Sequence, residues 1–276
     1  MRTTAYRTEE EYPVLFLTLL ILGGIALLTA GATICLAPLL AIIALLFAYQ
    51  VNQSNHQALI RQAYRVPLDE LSVQQANRPF SSLSSIARDC LSVLEPGKVE
   101  VFIVRGRERN AYTFGLSSPQ IIVVYAPLVE IMDPEELKFV IGHEMGHVAL
   151  GHTWLNTLVG GMAGIPQTYG TAIVLTAAFR WWNRACEYSA DRAGLLACQN
   201  PAKAISALVQ LVAGDIDNPA EMKLALQLIE AEDDNWGSVL SEALSTHPMI
   251  VKRINKIRSY AASPAYQRLL ARMQKR

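Results

Sequence analysis

Hydrophobic positions are concentrated in one long run near the start of the chain. Residues 1–12 form a polar tail, and residues 14–51 are almost wholly apolar. A single helix over this run would be about 57 Å long, nearly twice the thickness of the hydrocarbon core of a bilayer. Gly31 and Pro38 favour a break near its middle. We therefore predict that residues 13–51 form the two helices of a transmembrane hairpin.

A hairpin leaves both of its flanks on the same side of the membrane, and arginines occur on both flanks. They are Arg2, Arg7, Arg61, Arg65 and Arg78. By the positive-inside tendency this side is the cytoplasm, which predicts an integral protein of the cell inner membrane. The alternative is a cleaved signal peptide with its processing site at 30–32. Three glutamates directly before the apolar run, and the continuation of that run past the site, argue against cleavage.

Beyond the hairpin, the spacing of apolar residues changes twice. Residues 52–66 read as a polar continuation of the second helix, which Pro67 ends, and helical spacing returns over 68–95. A period of two with β-branched residues then predicts strands at 99–104, 110–114 and 120–125, with 105–108 as the solvated tip of a hairpin between the first two. The pattern predicts a mainly helical α+β fold with a small antiparallel sheet.

A strong helix start follows the strands. Asp133 can cap the helix, Pro134 suits its first position, and the next two glutamates favour the positive end of the helix dipole. We predict a helix from 134 to about 151. Its packing face consists of Leu137, Val140, Ile141, Met145, Val148 and Ala149.

A second uncharged stretch covers residues 153–179. Its glycines and Pro166 divide it into halves that are each short for a membrane span, so we predict a membrane-associated or buried hairpin. Further helices are predicted at 181–200, 201–213, 219–231, 236–244, 249–261 and from 264 onward. The lysines and arginines of the last two are predicted to form a solvated face.

Composition narrows the class of protein. Lys and Arg together equal Asp and Glu together at 24 each, so the chain lacks the basic excess of a nucleic-acid-binding protein. Hydrophobic residues make up 51% and charged residues 17%, which agrees with a membrane-associated chain. The four cysteines form no Cys-x-x-Cys pair, so neither a disulfide framework nor a thiolate zinc site is expected.

The candidate chemistry lies within the helix predicted from 134. Its sequence His143-Glu144-Met145-Gly146-His147 puts two histidines four residues apart, hence on one helix face. Two imidazoles can bind one zinc ion, and Glu144 can reach the attacking water and take its proton. The alternative is a pair of structural histidines, one capping and one buried.

A hydrolytic zinc site needs a third protein ligand. The candidates are Glu187, Asp191, His152 and His247. Because Glu187 and Asp191 are four residues apart, one carboxylate can bind zinc while the other accepts the spare N–H of a ligand histidine. The alternative is a surface pair with Arg184 or Arg192.

A shared metal would also constrain the topology. If Glu187 binds the same ion as His143 and His147, residues 153–179 cross the membrane an even number of times or not at all. His247, followed by a proline at a predicted helix start, can donate to the oxyanion of a tetrahedral intermediate, and a structural histidine is the alternative.

Three ordered motifs resemble one known family. They are Asn110-Ala111-Tyr112 followed by His143-Glu144-Met145-Gly146-His147 through His152; Glu187-Tyr188-Ser189-Ala190-Asp191; and Thr246-His247-Pro248. Over about 95–260 the chain resembles the HtpX-like zinc metallopeptidases, the gluzincin family that also contains the CAAX prenyl endopeptidases. No additional spans of the prenyl-protease kind are present, so a CAAX substrate is not expected.

The resemblance implies a membrane-bound zinc metalloendopeptidase with one zinc ion held by His143, His147 and Glu187. It implies Glu144 as general base and acid, His247 as transition-state donor and Asp191 as the residue that orients a ligand. It also implies that a strand at Asn110, Ala111 and Tyr112 binds substrate by β-augmentation.

The function expected is hydrolysis of unfolded or membrane-associated protein substrates, in membrane protein quality control, by a peptidase domain at 52–276 that faces the cytoplasm. Protein or peptide substrates and the lipid bilayer are the partners expected, and nucleic acid is not. The alternative is a catalytically inactive zinc-binding membrane adaptor, a pseudoprotease.

Overall fold

The structure, a computed structural model, describes residues 8–32, 36–68, 81–154, 157, 170–213, 223 and 250–274. These residues form the predicted mainly helical α+β fold. In chain order the elements are α1 (Glu11–Ala32), α2 (Leu36–Arg61), β1 (Tyr64–Val66), α3 (Ser81–Leu94), β2 (Val99–Val104), β3 (Ala111–Phe114), β4 (Gln120–Tyr125), α4 (Ala126–Ile131), α5 (Pro134–Leu150), α6 (Gly170–Cys198), α7 (Pro201–Ala213), α8 (Ile250–Ala261) and α9 (Pro264–Met273).

Two consecutive helices, α1 and α2, occupy the predicted hairpin segment and contact each other. Among the described residues, no helix has both the length and the apolar character required to cross a bilayer. The transmembrane character of 13–51 therefore stays a prediction. The start of α1 packs against α6, where Val14 is buried with Trp182, Ala185 and Cys186.

The expected helix over 52–66 ends earlier than predicted. α2 stops at Arg61, and Tyr64–Val66 forms the edge strand β1 instead. Pro67 disfavours helical backbone at Val66, and β1 pairs antiparallel with β2, so that Val66 lies opposite Val101. Pairing of Tyr64–Val66 with β2, favoured by the strand propensity of Tyr64 and Val66, thus replaces the last helical turn.

The sheet is mixed rather than antiparallel, which corrects the prediction. Its strand order is β1-β2-β4-β3, and β2 and β4 run parallel. Strands β2 and β3 therefore do not form a hairpin, and residues 105–108 do not form its tip. β4 is buried at its centre and takes an inner position, whereas the short, half-buried β3 takes the edge and pairs antiparallel with β4.

Helix α5 begins as predicted. The Asp133 side chain accepts hydrogen bonds from the backbone N–H groups of Glu135 and Glu136, and the Glu136 side chain accepts one from the Asp133 N–H. This capping box satisfies otherwise unpaired amides at the helix start. Glu136 also accepts a hydrogen bond from Ser206 of α7 at 2.6 Å, which ties α5 to its neighbour. The helix ends at Leu150 and is capped by Gly151, whose φ of 74° places it in the left-handed region.

Helices α5 and α6 approach closely because glycines face small residues. A Cβ added at Gly142 would lie 2.5 Å from the Cβ of Ala197, and one at Gly146 would lie 2.6 Å from the Cβ of Ala193. On α6, a Cβ at Gly194 would lie 2.7 Å from the carbonyl oxygen of Phe139. Any of these side chains would separate the two helices. The contact fixes the distance between the histidines of α5 and the carboxylates of α6.

Helix α6 is longer than the predicted helix 181–200, because it begins at Gly170. The final residues of the uncharged stretch 153–179 are therefore part of one continuous helix. Most of the remainder of that stretch, like the helices predicted at 219–231 and 236–244, lies outside the described residues.

Candidate metal centre

Three possible ligand atoms converge where α5 faces α6. His143 and His147 project from one face of α5, and their Nε2 atoms are 3.1 Å apart. Glu187 of α6 places Oε2 3.4 Å from the Nε2 of His143 and Oε1 3.4 Å from the Nε2 of His147. These residues form a group that could hold a metal ion, with ligand atoms within 4.8 Å of one another.

The spacing of these atoms fits a small tetrahedral ion. Zinc binds imidazole nitrogen and carboxylate oxygen at about 2.0–2.1 Å, so two ligand atoms at a tetrahedral angle lie about 3.4 Å apart. Two imidazoles and a carboxylate are also a donor set that zinc accepts. The separations around Glu187 match this value, so the residues fit a zinc ion.

The ring of His143 is oriented by a residue of α6 that contacts its Nδ1 atom. Its Nδ1 lies 3.0 Å from Oδ1 of Asp191, which is almost completely buried. A carboxylate at this position holds the proton on Nδ1 and leaves the Nε2 lone pair for a metal. The alternative of a surface pair with Arg184 or Arg192 is wrong for Asp191, because this carboxylate is buried and binds Arg253.

Arg253 of α8 joins the two carboxylates. Its Nε and Nη2 donate to Asp191 at 2.8 and 2.5 Å, and its Nη1 lies 3.0 Å from Oε2 of Glu187. We predicted a solvated face for this arginine, which is wrong, since it is 8% exposed. The available signal was its helical spacing from Ile257 and Ile250, which puts it on the apolar side of α8.

This charge cluster shifts the pKa values of its members. Burial disfavours the charged form of His143, but Glu187 and Asp191 outweigh that effect and raise its pKa to about 10. Burial likewise opposes ionisation of both carboxylates, yet Arg253 and His143 hold the pKa of Glu187 well below its usual value and lower that of Asp191. Both carboxylates are therefore ionised at neutral pH, and a cation entering between the imidazoles displaces a proton from His143.

Glu144 lies beside the histidines and is held by the sheet. The hydroxyl of Thr113 on β3 donates to Oε2 of Glu144 at 2.6 Å. Thr113 was missed by sequence reasoning, because nothing in the local pattern indicates that β3 crosses next to α5. The contact fixes the carboxylate at the side of the ligand histidines that faces the strand.

A cavity of about 840 Å³ lies over the candidate ligands and is also lined by Thr113 and Arg253. Its lining includes Glu144, the three candidate ligands and the predicted substrate residues Asn110, Ala111 and Tyr112. β3 is an edge strand that pairs, among the described residues, with β4 alone. The structure thus brings the predicted substrate strand and the candidate ligands to one cavity. His247 lies outside the described residues, so its predicted role stays a prediction.

His152, one of the candidate third ligands, lies behind His147 instead. Its Nδ1 is 2.9 Å from the Nδ1 of His147, on the side of that ring opposite the Nε2 atom that faces Glu187. The Nε2 of His152 is 3.0 Å from Oε1 of Glu11 at the start of α1. Glu11 was not singled out by the sequence analysis, since an acidic residue before an apolar run carries no signal for a distant site.

Comparison with known proteins identifies the family. Residues 77–261 match the sequence profile of peptidase family M48. The chain belongs to peptidase family M48. This confirms the resemblance to HtpX-like metallopeptidases, and the matched segment contains the candidate ligands, Glu144 and Arg253.

Individual M48 relatives support the assignment. The chain is 27% identical over 221 residues to the plastoglobule-localized metallopeptidase 48 of Arabidopsis thaliana, covering 74% of this chain and 64% of that protein. It is 29% identical over 192 residues to the protease HtpX homolog of Neisseria meningitidis serogroup B strain MC58, covering 58% of this chain and 66% of that protein.

A third relative matches over a shorter segment. The metalloprotease LoiP of Escherichia coli strain K12 is 30% identical over 106 residues, covering 38% of this chain and 41% of that protein. The chain spans less than two thirds of the length of each of these three relatives. No solved structure matches it at a significant level.

Proposed function

We propose that the chain is a zinc-dependent endopeptidase that hydrolyses peptide bonds in protein substrates, with a peptidase domain at 52–276. The observation that carries the proposal is the convergence of His143, His147 and Glu187 in one cavity with Glu144 beside them. Membership of peptidase family M48 supports the same reaction.

One zinc ion held by His143, His147 and Glu187 would supply Lewis-acid chemistry, polarising the scissile carbonyl and lowering the pKa of the attacking water. Glu144 takes a proton from that water and passes it to the leaving amine. Thr113, which donates to Glu144, keeps the carboxylate aimed at the cavity. Asp191 orients His143, and His247 donates to the oxyanion.

The open edge of β3 suits an extended substrate. The backbone N–H of Tyr125 donates to the carbonyl of Asn110, so by antiparallel alternation Tyr112 and Phe114 are the next residues bonded to β4. The backbone groups of Ala111 and Thr113 therefore face the open edge. We infer that a substrate strand forms hydrogen bonds with these groups, which places the peptide bond to be cleaved at the metal centre.

The exposed apolar surface of α1 and α2 supports a membrane location. Phe16, Leu27 and Phe47 are 67%, 77% and 70% exposed. Apolar side chains of this size in water are unfavourable unless another surface covers them. We infer that a lipid bilayer covers them, with the peptidase domain on the cytoplasmic face of the inner membrane. Unfolded or membrane-associated proteins in quality control are the substrates expected there.

The proposal is tested with Glu144→Gln in the purified, zinc-loaded full chain. Because the amide cannot accept the water proton, kcat for an unfolded protein such as casein is expected to fall by at least about 100-fold, with zinc content unchanged. Glu135→Gln, at an exposed position of the same helix, is the matched control. His247→Ala should lower kcat while zinc content stays constant.

Two results would contradict the endopeptidase proposal. If Glu144→Gln cleaved the substrate at the wild-type rate, Glu144 would not be the general base. A wild-type chain that binds zinc yet cleaves no unfolded protein would instead favour the pseudoprotease alternative.

A further inference from the structure

Glu11 is a buried carboxylate that the proposed mechanism leaves without a role. It is the first residue of α1 and is 1% exposed, whereas the adjacent Glu9 and Glu10 are exposed. Burying an ionised carboxylate is costly unless a hydrogen-bond donor or a positive charge compensates for the lost water. The position therefore requires a specific partner.

That partner is His152, which connects Glu11 to a proposed metal ligand. Oε1 of Glu11 lies 3.0 Å from Nε2 of His152, and Nδ1 of His152 lies 2.9 Å from Nδ1 of His147. All three side chains are buried. They form a continuous row from the start of α1 to the metal-facing ring, which we name the Glu11–His152–His147 row.

The chemistry of the groups gives the row a direction. Because a carboxylate only accepts hydrogen bonds, we assign the proton of a neutral His152 to Nε2, which lies 3.0 Å from Glu11, and the lone pair to Nδ1. That lone pair can accept only if His147 carries its proton on Nδ1. The lone pair of His147 is then at Nε2, the atom that faces Nε2 of His143 and Oε1 of Glu187.

We propose that Glu11 is a positioning residue for the metal centre, setting the tautomer and orientation of His147 through His152. The inference rests on the proposed function, because it assigns Glu11 a task only where His147 binds a metal. Through His152, Glu11 orients His147 and fixes its proton on Nδ1, as Asp191 does directly for His143.

Contacts with α6 hold Glu11 in place. The backbone N–H of Thr8 donates to the Ser189 hydroxyl at 3.0 Å, and that hydroxyl lies 3.1 Å from the Thr8 hydroxyl oxygen. Trp182 of α6 packs edge-on against the His152 ring, with ring centroids 6.3 Å apart. The residues around Glu11 are thus fixed by the helix that carries Glu187. The start of α1 is therefore part of the proposed metal centre, although it lies more than a hundred residues away in sequence.

The test is zinc affinity of the full chain, measured by competition with a chromogenic chelator. Glu11→Ala is expected to raise the Kd for zinc roughly 10- to 100-fold, the usual loss when a partner behind a ligand histidine is removed. Glu10→Ala is the matched control, because the neighbouring Glu10 is exposed and pairs with Lys256; its Kd should stay within about twofold of the wild type. If metal-free Glu11→Ala does not fold, the isosteric Glu11→Gln replaces it, with a Kd expected to rise by more than about threefold.

A double variant separates positioning through His152 from a general structural effect. Because Glu11 acts through His152, Glu11→Ala combined with His152→Ala should bind zinc as weakly as His152→Ala alone. Losses that multiply, or a folded Glu11 variant with wild-type affinity, would overturn the inference while leaving the proposed function intact. A wild-type chain that binds no zinc would refute the proposed function and this inference together.

Discussion

Arg253 connects two carboxylates that have different proposed tasks. It bonds Asp191, which orients His143, and it lies against Glu187, which faces both Nε2 atoms. Burial disfavours its charge, but the two carboxylates outweigh that effect and raise the pKa of the guanidinium. The arginine therefore stays charged and compensates two buried negative charges whether or not a cation is bound.

Removing that charge is expected to destabilise the fold. Arg253→Leu removes the guanidinium that binds both Asp191 and Glu187 and leaves His143 as their remaining positive partner, so the free energy of unfolding of the metal-free chain should fall by roughly 3–5 kcal/mol. Arg258→Leu, at an exposed position of the same helix, should change it by less than about 0.5 kcal/mol. The measurement is denaturant unfolding of both variants and the wild type. Equal unfolding midpoints for the two variants would show that the Arg253 cluster does not stabilise the chain.

At this scale the sequence predicted only what local spacing can encode. The pairing of His143 with His147, and the place of Glu144 beside them, follow from one helix turn. Spacing left Glu187 as one of four candidate third ligands, and only the family resemblance implied its role and that of Asp191. Thr113, Arg253 and Glu11 could not be assigned in the same way, because each reaches the site through packing of a separate element. Their environment depends on which helix face is buried, and the helical spacing of Arg253 was the one usable sign.

Among the elements, α5 was predictable and the strand order was not. The capping residues before α5 and its apolar face specify its start and orientation locally. The β-forming residues of β2, β3 and β4 specify strands but not partners. Parallel pairing of β2 with β4 depends on burial of both strands in the core, and it moves β3 to the edge beside α5.

The edge position of β3 leads to a prediction about substrate binding. Ala111→Pro removes an N–H that faces the open edge without breaking a bond to β4, so KM for a protein substrate should rise several-fold while zinc content stays constant. Ala111→Ser keeps the N–H and is the matched control. Steady-state kinetics on both variants checks this. A KM for Ala111→Pro equal to that of Ala111→Ser would exclude backbone pairing at this residue.

On the scale of the whole molecule, α1 has two distinct sides. Val14 and Thr18 are buried, whereas Phe16 and Leu20 are exposed. The buried side lies against α6 beside the candidate metal centre, and we propose that the exposed side lies against lipid. The apolar run identified this segment in the sequence, but it could not reveal that one side contacts the peptidase domain.

Lipid contact is tested by flotation of the full chain with phospholipid vesicles. The combined variant Phe16→Asp and Phe47→Asp places a charge on each helix, and each Asp costs about 2.5–3.5 kcal/mol at the centre of a bilayer. A smaller fraction of this variant than of the wild type should float with the vesicles. Leu116→Asp, an exposed apolar residue in the loop after β3, serves as the control and should float like the wild type. Equal flotation of all three would exclude α1 and α2 as the lipid-binding surface.

We propose that His143, His147 and Glu187 together hold one zinc ion. Zinc content and affinity of the purified chain, compared with those of Glu187→Ala, test it most directly, with Glu135→Ala as a control carboxylate on α5. One zinc per chain is expected in the wild type and in the control. Glu187→Ala is expected to raise the Kd for zinc by more than about 100-fold, because it removes a ligand. Removal of a residue that only hydrogen-bonds a ligand histidine costs at most about 100-fold. Stoichiometric zinc of wild-type affinity in Glu187→Ala would contradict this proposal.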